Sequence, residues 1–216
     1  MVEVLYEDNH LIAVCKPAGL LTQETAENHE SLENQVKAWI KDKYQKPGNV
    51  FLGVIHRLDR PVSGIVLFAK TSKALSRLNE AIRSRSMQKT YHALVEGRPA
   101  QESATLEHWL IHDDYRAQVC MRAEPDAKKA RLHYKTLKRN PDTTLLEVIL
   151  ETGRYHQIRA QCAAIGHPIV GDAKYGSRRT FAEGAIALHH YQLKLEHPIT
   201  KAPLMIVCEA ASLRGL

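Results

Sequence analysis

The sequence predicts an α+β fold with a large antiparallel sheet. Three observations point there. Between Lys89 and Glu151 apolar and polar residues alternate, and turn signals such as Asn140-Pro141-Asp142 break the runs. Two stretches of helical periodicity precede that region and a shorter one follows it. Neither an internal repeat nor a low-complexity segment competes with this reading.

Taken in order, Val2 to Tyr6 and Leu11 to Cys15 read as short strands around the turn Glu7-Asp8-Asn9-His10. Lys16-Pro17-Ala18-Gly19-Leu20 breaks the pattern. Ser31 is a good N-cap for a helix to about Tyr44, with Leu32, Val36, Trp39 and Ile40 on one face. Ile65-Val66-Leu67-Phe68-Ala69 is apolar enough for a buried strand, and a basic amphipathic helix follows from Ser72 to Ser84. The alternating runs from Lys89 to Val95, Arg131 to Tyr134 and Leu145 to Leu150 read as an antiparallel meander. A helix from Tyr155 to Ile165, stopped at Gly166 and Pro168, and strands near Ala185 to Leu195 and Leu204 to Ala210 complete the chain.

A length of 216 residues suits one domain, or two tightly joined lobes. The expectation is a single domain over residues 1–216. The net charge of +6 brings a polyanionic partner into consideration. Cys15, Cys120, Cys162 and Cys208 are widely scattered and match no zinc or redox spacing. The start, Met1-Val2-Glu3-Val4, is unlike a secretory signal, and no apolar run reaches the roughly 18 residues of a membrane span. A reduced, cytoplasmic protein without a membrane partner is expected.

The most informative stretch is His56-Arg57-Leu58-Asp59-Arg60-Pro61-Val62-Ser63-Gly64. It sets one carboxylate, Asp59, among two arginines and a histidine at the mouth of the apolar strand. Cations beside a carboxylate favour its charged form. Two other groups accompany it. Tyr91 opens a strand and could either pack in the core or stack on a planar substrate with its hydroxyl free for proton transfer. In Gly153-Arg154-Tyr155-His156-Gln157-Ile158-Arg159, Arg159 shares a helix face with Tyr155 while Ile158, Cys162 and Ile165 pack inward. A semi-buried arginine needs a carboxylate, and Asp59 is a natural partner. Despite 12 histidines, no helical His-x-x-x-His or other ligand set is present, so no metal is expected. Phosphate-cradling glycine loops and a serine elbow are also missing.

Three separated segments together resemble one family: His56-Arg57-Leu58-Asp59 with Ser63-Gly64, Lys89-Thr90-Tyr91, and Gly153-Arg154 with His156-Gln157-Ile158-Arg159. Lys16-Pro17-Ala18-Gly19-Leu20 and Gly166-His167-Pro168-Ile169-Val170-Gly171-Asp172 with Tyr175-Gly176 fit the same pattern. In order and spacing they resemble the RluA-type RNA pseudouridine synthases over nearly the whole chain. The resemblance implies a pseudouridine synthase fold, an extended, mostly antiparallel mixed sheet flanked by helices with a central cleft, and a catalytic domain without a separate N-terminal RNA-binding module. It implies Asp59 as catalytic carboxylate, Tyr91 as stacking tyrosine and Arg159 as the basic partner of the aspartate. Arg57 matches the arginine that helps fill the gap left by a flipped-out nucleotide. The resemblance also implies His56, Arg154, His156 and Gln157 as further substrate and RNA contacts.

The implied partner is RNA, either tRNA, rRNA or both, with no cofactor, no obligate protein partner and a monomer as the default. Whether the aspartate adds to the uracil ring or acts at the sugar stays open. The sequence departs from the family pattern at Val62, Tyr155 and Gln161, where threonine, a smaller or more polar residue, and histidine are common. Two other classes compete with this reading. One is a non-catalytic RNA-binding protein, which the 6% aromatic content does not favour as an open stacking platform. The other is a metal-dependent phosphoesterase, which would need a chelator-sensitive ligand set.

Overall fold

The structure, a computed structural model, describes residues 2–24, 30–113, 115–120, 122–210 and 213. In chain order the elements are β1 (Glu3–Glu7), β2 (Leu11–Lys16), α1 (Leu32–Lys43), β3 (Gly53–Val54), β4 (Ser63–Ala69) and α2 (Ser72–Arg83). Then come β5 (Gln88–Glu96), β6 (Ser103–His112), β7 (Ala117–Cys120), β8 (Lys128–Arg139), β9 (Thr143–Leu150) and α3 (Gln157–Ala164). A single 3-10 turn at Ala173–Tyr175 leads to β10 (Leu188–Glu196) and β11 (Pro203–Val207). The architecture is α+β, and it divides into two compact units.

The first unit comprises residues 1–87 and 190–209. Its strands run in the order β1-β2-β4-β10, with β11 on β10 and β3 on β4. The β1–β2 turn forms because the Asp8 carboxylate accepts the amides of His10 and Leu11, both at 2.7 Å. Ser31 caps α1 by accepting the Asn34 amide at 3.3 Å, and Thr71 does the same for α2 through Ala74 at 3.2 Å. α2 lays Ala74 and Leu78 onto a core of Leu11, Ala13, Ile65, Leu67, Leu193 and Ile206, all close to fully buried.

The second unit comprises residues 88–189 with the last few residues from 210. Its strands lie in the order β5-β9-β8-β6-β7, antiparallel throughout. The sequence predicts a meander, and the structure departs from it. β9 pairs on one side with its neighbour β8 and on the other with β5, setting Tyr91 opposite Val148. Alternation defines which face of a strand is buried but not which strand it pairs with, so this closure is not written in the local pattern. α3 packs against β6 and β7, where Ala160 meets Leu110, Ala117 and Ala130. Gln161 fastens the helix: its wholly buried amide donates to the Leu106 carbonyl at 3.2 Å and lies 3.0 Å from the His108 ring.

Candidate active site

In the first unit, half-buried Asp59 sits on a loop that is fastened on both sides. The Thr22 hydroxyl donates to the Leu58 carbonyl at 2.9 Å and accepts the Leu58 amide at 3.1 Å. On the other side the Arg60 carbonyl accepts the Gly19 amide at 2.8 Å and the Lys16 ammonium at 3.2 Å. The loop then turns through a bond from the Val62 amide to the Asp59 carbonyl, 3.0 Å.

Lys16 is the anchor of this arrangement. Its side chain is wholly buried at the end of β2. Its three N–H donors are matched by three carbonyls, those of Leu20 at 2.7 Å, Pro17 at 2.9 Å and Arg60. Burial pulls its pKa down to about 8, while the negative charge of Asp59 and then that of Cys15 oppose the fall. The ammonium is therefore charged at neutral pH and acts electrostatically on the Asp59 carboxylate. Sequence reasoning quoted Lys16 within a motif but gave it no role; a lysine closing an apolar strand just before a Pro-Gly loop is the signal that was there to use.

The other cations of the stretch are placed differently. Arg57 is exposed, and Arg60 turns its Nε to the Gly19 carbonyl at 2.9 Å. His56 accepts the Leu67 amide on Nε2 at 3.1 Å and meets His190 edge to face, ring centroids 5.6 Å apart. Gly64 has φ +113°, and a Cβ there would stand 2.6 Å from the backbone nitrogen of His190. Only glycine lets the two strands come that close.

In the second unit, Tyr91 is 7% exposed within β5. Lys89, two residues earlier, has its pKa lowered by burial. Arg159 projects from α3 and is buried, as is Asp172, which it grips through Nε–Oδ2 at 2.6 Å and Nη2–Oδ1 at 2.8 Å. The sequence reading named Asp59 as a partner and overlooked Asp172. The Tyr175 ring lies against the same guanidinium, 5.1 Å from Cζ.

Around that pair, His156 adopts the left-handed conformation at φ +50° and is almost wholly buried. Its Nδ1 lies 2.9 Å from the Tyr175 hydroxyl, which accepts the Ala117 amide at 2.8 Å. Burial pushes the His156 pKa down to about 3, and the positive charges of Arg159 and Lys174 add to the fall, so the ring is neutral. Burial pushes the Tyr175 hydroxyl up to about 12.

Tyr155 stacks on His156 at 3.8 Å and meets the exposed His112 at 4.1 Å. Gln157 works on the backbone. Its Oε1 accepts the Thr152 hydroxyl at 2.8 Å and the Arg154 amide at 3.0 Å, and its Nε2 donates to the Arg131 carbonyl at 3.1 Å. Arg154 directs Nε to the Lys129 carbonyl at 3.1 Å. Among the described residues no group of three or more His, Cys, Asp or Glu side chains could hold a metal ion.

The family model for RNA pseudouridylate synthase matches residues 10–164, a span that contains Asp59, Tyr91 and Arg159. The chain belongs to that family. Among curated RNA pseudouridine synthases, the ribosomal large subunit pseudouridine synthase D of Nitrosomonas europaea is 35% identical over 91% of this chain and 58% of its own length. The tRNA pseudouridine synthase C of Vibrio cholerae is 34% identical over 95% of this chain and 90% of its own length. The chain thus spans less than two thirds of the length of several pseudouridine synthase relatives and most of the Vibrio cholerae tRNA pseudouridine synthase C. A solved structure, human RNA pseudouridylate synthase domain containing 4, superposes with a TM-score of 0.80 over 96% of this chain and 88% of that one. At 22% identity it shows a shared fold. No helix among the described residues is long and apolar enough to cross a membrane.

Proposed function

We propose that this chain isomerises uridine to pseudouridine in tRNA, rRNA or both, with Asp59 as the catalytic carboxylate. The observation that carries the reading is the loop of Asp59, tied at Leu58 by Thr22 and at Arg60 by Lys16, beside a buried ammonium that acts on the carboxylate. A carboxylate with its backbone fixed and a preorganised cation nearby is suited to act on an electrophilic carbon of a bound nucleoside.

The reaction breaks the bond from the sugar C1′ to uracil N1 and forms one from C1′ to C5. C5 gives up a proton and N1 gains one, so atoms and electrons balance without a redox partner. In this reading Tyr91 holds the detached ring by stacking and assists proton removal from C5. Arg159, aligned by Asp172, is the basic partner of the aspartate. Exposed Arg57 occupies the gap left by the extruded nucleotide, which costs a few kcal/mol to unstack. Arg154 contacts the RNA backbone. His56, His156 and Gln157, whose ring or amide atoms already bond within the protein, shape the walls of the substrate site. The enzyme acts as a cytoplasmic monomer and needs no cofactor.

The test is Asp59→Asn. It abolishes pseudouridine formation in total RNA while circular dichroism and RNA affinity stay close to wild type. Full activity in this variant ends the reading. Mapping pseudouridines in cells with and without the gene then identifies the RNA and the position.

A further inference from the structure

Cys15 and Cys208 are 193 residues apart in the chain, yet the first unit brings their sulfurs to 2.7 Å, with the Cys208 thiol donating to Cys15. Cys15 lies on β2 between Glu3 of β1 and Ile65 of β4. Cys208 directly follows β11, and its amide extends the β10–β11 ladder by bonding to the Tyr191 carbonyl at 2.9 Å. Since β11 also runs beside β1, the two side chains meet at the edge of the unit's apolar core. Cys15 is partly exposed and Cys208 is buried. The hydrogen bond from Cys208 lowers the Cys15 pKa, against burial and the charge of Glu3, and raises that of Cys208. The more accessible residue thus stands in contact with a second thiol that can resolve it.

We propose that Cys15 and Cys208 form a redox-reactive dithiol site that takes hydrogen peroxide as its oxidant and closes into an intramolecular disulfide. The Cys15 thiolate attacks one peroxide oxygen, and the O–O bond breaks. This leaves Cys15 as a sulfenic acid, and the departing hydroxide takes up a proton to become water. Cys208 then attacks the Cys15 sulfur. The S–S bond forms, the S–O bond breaks, and the hydroxide leaves as a second water with the Cys208 proton. Two thiols and one peroxide thus give one disulfide and two waters, with two electrons passing from sulfur to oxygen. A disulfide requires a separation of about 2.05 Å, and the sulfurs already stand at 2.7 Å. Cys162, buried and with its pKa pushed up to about 12, lacks both access and thiolate character and stays outside this chemistry.

The test uses the reduced full-length chain treated with a stoichiometric amount of hydrogen peroxide. Of its four cysteines, two are lost to a thiol-counting reagent and return after dithiothreitol. Non-reducing peptide mapping yields one cross-linked species joining the Cys15 and Cys208 peptides, lighter by about 2 Da than their sum. In Cys208→Ser, dimedone labels Cys15 as the trapped sulfenic acid. Retention of all four thiols, a bridge involving Cys120 or Cys162, or a disulfide-linked dimer of chains overturns the proposal. The wild-type measurement decides even if a variant folds poorly.

Discussion

Arg159 grips Asp172 through two parallel hydrogen bonds, with the side chains 5% and 1% exposed. So dry a pair is costly to break from one side, because the surviving charge loses a buried partner. Asp172→Ala lowers unfolding free energy by about 3–5 kcal/mol in urea titrations. A loss below about 1 kcal/mol would mean that water reaches the guanidinium. Arg159→Lys does not substitute, since an ammonium cannot fill a two-pronged contact.

Lys16→Met keeps the length of the side chain and removes its three donors. The carbonyls of Pro17 and Leu20 lose the ammonium, and that of Arg60 keeps only the Gly19 amide. The expected cost is on the order of 3 kcal/mol in chemical denaturation. If Asp59 is the catalytic group, kcat for pseudouridine formation falls at least about tenfold with little change in KM for RNA. Stability lost with kcat unchanged would separate the anchor from the chemistry.

Gly64→Ala combines an unfavourable φ with a close approach to His190. A destabilisation of roughly 2–4 kcal/mol follows, read as a drop in thermal midpoint and in soluble yield. Gly166→Ala, at φ +83° but with open space around its Cβ, costs visibly less.

His156 gives stability a defined pH dependence. The unfolded imidazole binds a proton near about 6.5, the folded one only near about 3. Between those values the unfolded chain holds more protons, so this contribution is complete above pH 6.5 and is lost as pH falls towards 3. His156→Gln removes it. Unfolding free energy measured from pH 7 to pH 5 therefore declines less steeply in the variant than in wild type. Parallel slopes would show that the ring takes up a proton in the native state.

Tyr91→Phe retains the ring and deletes the hydroxyl, whereas Tyr91→Ala deletes both. If stacking dominates, single-turnover rates fall modestly in the first and by about 100-fold or more in the second. Equal losses in both would assign the role to the hydroxyl.

The helices were legible because their signals are local: Ser31 sits at a cap, and Leu32, Val36 and Ile40 recur on one face. The second helix was found too, although its cap is Thr71. The pairing of β5 with β9 was hidden, as were the strand at Ser103–His112 and the short β3, since partner choice depends on contacts far apart in sequence. Asp59, Tyr91 and Arg159 stood out as residue types in motifs. The fastening of Asp59 by Lys16 and Thr22 did not, nor did Asp172 beneath Arg159. Such relationships exist only once the chain has folded. In the segment from Asp113 to Ala127, which contains β7, residues 114 and 121 lie outside the described residues.

The division of the first unit between residues 1–87 and 190–209 imposes an order on biosynthesis. While the ribosome is still adding the middle of the polypeptide, β2, which ends in Lys16, and β4 exist without β10 and β11, and the surface those later strands will cover stays open. The intervening segment, continuous from 88 to 189, is available to collapse first. The β4 edge that β10 covers therefore stays unpaired in the nascent protein until β10 emerges.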